Sequence, residues 1–147
     1  MAFFKTAVLA ASLIASAFGF AAQAEETASP WPAGAAPYII SPANGATVKS
    51  PVKVVFGLHG LGVAPAGVEK PKTGHHHLLI DTKAPTGEEL DFAIPMDDQH
   101  KHFGGGQTEA TIELAPGKHT LQLIMGDAAH IAHHPPLVSD VITITVE

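Results

Sequence analysis

Three short segments of this chain carry histidines at spacings that let two imidazoles reach one ion. In Gly74-His75-His76-His77-Leu78-Leu79-Ile80-Asp81, an extended backbone puts His75 and His77 on one face. His76 then falls on the other face with Leu78 and Ile80. Two neutral imidazoles two residues apart on one pleated face are a starting pair of transition-metal ligands. His100-Lys101-His102-Phe103 repeats the spacing, and Gly104-Gly105-Gly106 permits tight backbone turns beside it. His130-Ile131-Ala132-His133-His134-Pro135-Pro136 is the third set, and one helical turn over residues 127–134 would align His130 with His133 and His134. The chemistry these segments point to is metal coordination. His75, His77, His102, His130 and His133 are its first candidates, and His76, His100 and His134 its second rank.

Imidazole suits copper, zinc, nickel and iron, whereas calcium and magnesium prefer oxygen ligands. The sequence has ten histidines and no cysteine, which excludes thiolate ligands, thiolate catalysis and disulfides. Without thiolate, affinity follows the Irving–Williams order and favours copper(II), so a copper or zinc ion is the expected cofactor. Binding, delivery or detoxification of that ion is the first functional reading, with the metal ion and another periplasmic protein as partners. A metal-free envelope binding module, its histidines joined in a buried hydrogen-bond network, is the second. A metalloenzyme is the third, and the balance favours a binding protein over an enzyme. No Gly-x-Ser-x-Gly occurs, and Gly104-Gly105-Gly106-Gln107-Thr108 lacks the lysine of a phosphate loop. Eight lysines, no arginine and fourteen carboxylates give a formal charge of −6, which argues against nucleic acid as a partner.

Several of these residue types have a plainer use. His119 is in phase with Leu121 and Leu123 and reads as a hydrogen-bonded sheet histidine. His59, beside Gly60, reads as a solvated loop residue, and His76 as a ring packed on the apolar face with its nitrogens bonded to backbone. Asp97 and Asp98 fit an Asx-turn, Phe103 a core plug, and Met96 and Met125 core filler.

The elements that position these residues follow from punctuation and period. Residues 1–24 read as a secretory signal peptide: Lys5 supplies the charge, residues 7–22 are apolar or small, and Ala22-Gln23-Ala24 is a small-x-small cleavage site. The expected mature chain starts at Glu25, and export with no cysteine suits the periplasm, with no membrane span left after cleavage. Residues 25–37, rich in Ala, Pro and Gly, read as a flexible lead-in to a single domain over 38–147. Period two dominates that domain. Val52, Val54 and Phe56 alternate with Lys53 and Val55, Ala110 and Ile112 with Glu109 and Thr111, and Ile142 and Ile144 with Thr143. Twelve prolines and fourteen glycines cut short any candidate helix. The fold expected is all-β: an antiparallel, immunoglobulin-like β-sandwich of about seven strands.

The blocks GLGVAPAG, TGHHHLLID, IPMDDQHKHFGGGQTEA, APGKHTLQL and GDAAHIAHHPPLVSD, over about residues 41–146, carry a family resemblance. Together they resemble a domain-of-unknown-function family found in exported bacterial proteins, with GHHHLLID and HFGGGQTE the most specific blocks. The resemblance implies an exported β-sandwich and histidines at the positions of His75, His76, His77, His102, His130 and His133. It implies an acidic residue where His134 stands, and it implies no established activity.

Overall fold

The computed structural model describes residues 30–147, so the expected signal peptide over 1–24 and the start of the expected lead-in lie outside the described residues. Nine strands follow in order: β1 (Ala36–Ser41), β2 (Thr47–Val48), β3 (Val52–His59), β4 (Gly62–Val63), β5 (Thr73–Ile80), β6 (His100–His102), β7 (Glu109–Ile112), β8 (Gly117–Gly126) and β9 (Ile142–Val146). One 3₁₀ turn, Gly87–Asp91, is the helical element among the described residues. No helix there is long and apolar enough to cross a membrane.

The strands form two sheets, one ordered β1-β3-β7 and the other β2-β9-β8-β5-β4, with β6 also paired to β5. Their inner faces meet in one core. Val52, Val54 and Phe56 of β3 and Ile112 of β7 pack against Leu78 and Ile80 of β5, Leu121 and Leu123 of β8, and Ile144 and Val146 of β9. The fold is therefore an all-β sandwich, and the alternation that places these side chains inward is the period legible in the sequence.

Two details differ from the expected seven antiparallel strands. β2 pairs with β9, and β4 with β5, in parallel ladders of two residues each, too short to leave a period in the sequence. A tight turn at Ala43-Asn44-Gly45 leads from β1 into β2. Asn44 Oδ1 accepts from Thr143 N and Thr143 O accepts from Gly45 N, which carries β2 across to the other sheet.

The outer face of the larger sheet is not left to solvent. Leu79 of β5 and Ile124 of β8 are fully buried there beneath Ile94 and Ala132, with Ala84, Leu90 and Val138 alongside. The connections over 81–99 and 127–141 form this cover, pinned by bridges Ala93↔Ile131, Ile124↔Val138 and Gly126↔Ala132. Met125 is fully buried as expected of core filler, but Met96 is 65% exposed, because it sits in the covering connection rather than in a strand.

Candidate metal centre

Every residue of β5 from Gly74 to Ile80 is buried, because one face meets the sandwich core and the other the covering connections. His75 and His77 share the outer face with Leu79, while His76 points inward with Leu78 and Ile80. β6 runs antiparallel beside β5 with His77 opposite His102, so His102 joins the same face. On the other side β8 places Gly126 opposite His75. The chain then turns, and His130 returns over that face.

Four imidazoles meet as a result. The Nε2 atoms of His75 and His77 lie 3.0 Å apart, and one candidate ligand atom from each of His75, His77 and His102 falls within 4.8 Å of the others. The rings of His75 and His77 are each centred 5.0 Å from that of His102. The His130 ring is 4.7 Å from His102, 5.1 Å from His75 and 6.2 Å from His77. Nitrogens sharing one tetrahedral ion at about 2.0–2.1 Å stand about 3.3 Å from each other, so small ring rotations bring these residues onto one centre.

The space for these rings is made by missing side chains. A Cβ on Gly126 would lie 2.8 Å from His77 Nε2, and one on Gly104 would collide with the His102 ring. Asp127 sets the last histidine. Its Oδ1 accepts from Ala129 N at 2.8 Å and Ile131 N at 2.9 Å, and its carbonyl accepts from His130 N. His130 is held at φ +68°, a left-handed conformation that non-glycine residues adopt only when the surroundings over-determine it.

The expected helical turn over 127–134 is absent. The Asp127 carboxylate takes the N–H groups that a helix would use, and the Gly126↔Ala132 bridge keeps the chain extended. His130, His133 and His134 therefore diverge.

Burial sets the electrostatics. It drives the His75 pKa down to about 4, with further lowering from His102 and His130 and partial opposition from Asp127. Burial likewise drives His77 down to about 3, helped by His75, His102 and His130. His102 is lowered by burial and then by His130. These rings are neutral near pH 7, the form that ligates metal. His75 Nδ1, His77 Nδ1 and His102 Nε2 are buried without a hydrogen-bond partner among the described residues. An ion shared by the His75 and His77 Nε2 atoms would still leave both Nδ1 atoms without a partner, whereas the unpartnered His102 Nε2 could ligate it directly. Neutral, dehydrated imidazoles fit a borderline transition metal and not calcium or magnesium.

The remaining candidates stand apart from this cluster. His100 shares its face, but its Nδ1 lies 2.8 Å from Asp97 Oδ1, which also accepts from Gln99 N and His100 N as an Asx-turn. His133 packs its ring 4.9 Å from that of Trp31, beyond Gly74. His134 is exposed, 3.5 Å from Asp91. His76 is fully buried against Phe56. The backbones of Gly57 and Gln107 approach its ring and partly offset the effect of burial, yet neither reaches hydrogen-bond geometry, contrary to the backbone bonding expected for it. His59 is exposed and stacked on Tyr38 at 4.4 Å. Sequence reasoning missed Asp127 and Gly126. A Gly-Asp pair ahead of Ala-Ala-His was the available signal for a side-chain-bonded turn.

A family model described as a domain of unknown function (DUF4399) matches residues 54–147. That span holds nearly all of β3, every later strand and all ten histidines. No curated protein and no solved structure matches the chain.

Proposed function

The chain belongs to the DUF4399 family, a domain of unknown function, and from that premise we propose that it is an exported protein that binds one copper or zinc ion. His75, His77 and His102 are the ligands, and His130 closes the fourth position. The observation that carries this reading is the convergence of two buried imidazoles and a half-buried one, with ligand atoms of the three side chains within 4.8 Å of one another. Copper(II) ranks first because an all-imidazole site follows the Irving–Williams order, and zinc ranks second because four nitrogens suit its tetrahedral preference. The protein would bind, deliver or sequester the ion in the periplasm, where the leader over residues 1–24 would send it.

The test is elemental analysis and intact mass of untagged protein taken from the periplasm. One equivalent of copper or zinc on a chain beginning at Glu25 is the expected result. The 3.0 Å Nε2–Nε2 contact also favours a second reading, a metal-free hydrogen-bonded network within a binding module. Chelator-stripped protein that takes up neither metal at pH 7.5 would establish that second reading instead.

A further inference from the structure

Four rings around one point can lie in a plane or at the corners of a tetrahedron, and their separations tell the two apart. An imidazole bound through nitrogen at about 2.0–2.1 Å has its ring centre about 3.2 Å from the ion. Four such rings in tetrahedral coordination stand about 5.2 Å apart in every pair. A square-planar set instead has four pairs at about 4.5 Å and two diagonals at about 6.4 Å. The observed separations are 4.7, 4.9, 5.0, 5.0 and 5.1 Å, with the His77–His130 pair longer at 6.2 Å. In a planar set the opposite pair, His75–His102, would be the second diagonal, but it measures 5.0 Å. The four histidines are therefore arranged as a tetrahedron.

The fourth ring decides the shape. His75, His77 and His102 alone form a nearly equilateral triangle, 4.9, 5.0 and 5.0 Å on a side. Three ligands so placed cap one side of an ion and leave its other side to water, which can complete a tetragonal or octahedral shell. The His130 ring stands against all three and takes that side. The chain accepts strain to put it there, holding His130 at φ +68° in the turn that Asp127 fixes. Its wide separation from His77 exceeds the tetrahedral value by about 1 Å, which a small movement of that turn takes up.

We infer that His130 is the specificity-determining residue of the centre: as fourth ligand it imposes tetrahedral coordination, which suits zinc(II) and disfavours copper(II). This rests on the metal-binding reading proposed above and decides between its two ions. Donor type puts copper(II) first, and the shape of the ligand set reverses that order. Zinc(II), with a filled d shell, loses nothing in a tetrahedron. Copper(II) prefers a tetragonal shell, and rings fixed to the paired strands β5 and β6 cannot flatten around it.

The experiment compares stripped, mature protein with His130→Gly, which removes the ring and suits the left-handed backbone. Competition titrations against a chelator of known affinity give the ratio of copper(II) to zinc(II) binding for each protein. In wild type, zinc(II) should bind at least as tightly as copper(II). In His130→Gly, copper(II) should lead by more than about tenfold, as imidazole donors alone dictate. Cobalt(II) gives a second reading that does not depend on the variant. Wild-type protein loaded with it should show the intense visible bands of a tetrahedral ion. Copper(II) leading by the same factor in both proteins would overturn the role of His130, as would the weak bands of octahedral cobalt in wild type. Wild-type protein that takes up none of the three ions would instead remove the metal-binding reading, and the role of His130 with it.

Discussion

His77 and His119 lie in the same sheet, on neighbouring strands β5 and β8, and they experience opposite surroundings. His119 sits at the rim with both ring nitrogens engaged: Nδ1 donates to Asp81 Oδ2 at 2.7 Å and Nε2 donates to the Ala115 carbonyl at 2.8 Å. Two acceptors favour the imidazolium, and its pKa is raised, first by the Asp81 hydrogen bond and then by Ala115. His77 is fully buried among other imidazoles, with its Nδ1 unpartnered among the described residues. Burial holds its pKa down at about 3. One histidine is completed by the protein and the other is left with coordination capacity to spare. Histidine count alone does not mark a site; rings kept neutral by burial and brought within reach of one point do.

The sharpest way to break this contrast is to remove each ring in turn. His77→Ala should weaken copper(II) or zinc(II) binding by more than about a hundredfold, roughly 3 kcal/mol, because a lost ligand costs more than a lost outer partner. His119→Ala should leave the affinity unchanged. Isothermal titration of stripped protein reads both, and equal losses would show adventitious surface coordination.

Metal should next act on stability through the cluster alone. An ion that binds only the folded state adds about 2.7 kcal/mol at a hundredfold excess over Kd, which raises the melting temperature by several degrees at pH 7.5. In 0.5 M salt the rise should persist at pH 5, because His75 and His77, with folded values near 4 and 3, are still neutral there, and it should fall away only as the pH drops through those values. A rise that survives the removal of both rings would point to oxygen ligands.

The two regions should also respond to pH with opposite signs when no metal is present. His75 and His77 have folded pKa values near 4 and 3 against 6.5 unfolded, so the unfolded chain takes up protons first. Stability is therefore full above pH 6.5 and falls by several kcal/mol as the pH drops from there toward 4. His119, with its pKa raised, contributes fully below pH 6.5 and loses that contribution as pH rises through its folded value. Thermal melts of stripped protein across pH 4–8 should show the acid loss, and His75→Ala with His77→Ala should flatten it. A profile unchanged by the pair would mean that these rings are not held neutral.

The smallest effect belongs to the completed histidine. Asp81→Asn should cost about 1 kcal/mol, since Asp81 Oδ1 also accepts from Thr120 N and an amide oxygen can keep that bond. Metal affinity should not move. A loss of metal binding in this variant would show that the rim and the centre are coupled.

Much of this architecture is legible without coordinates. Period two alone places Val52, Val54 and Phe56 inward, sets His75 and His77 on one face with His76 on the other, and groups His100 with His102. The phase of His119 with Leu121 and the Asx-turn at Asp97 follow from equally local rules. The absence of cysteine, fixed by composition, excludes thiolate from any ligand set.

What needed tertiary structure is whatever depends on register between distant segments. β6 could have slid along β5, but pairing His77 with His102 rather than with Lys101 is what adds a third imidazole to the face. The left-handed His130 and the failed helical turn over 127–134 come from Asp127 and the Gly126↔Ala132 bridge, contacts that no hydrophobic period encodes. The placement of the cluster outside the sandwich core, beneath connections that look like loops in the sequence, follows because those connections bury Leu79 and Ile124. Residue type and local spacing determine which faces histidines share. Only the packing of segments far apart in the chain decides which faces meet, because burial and register energies are summed over the whole fold.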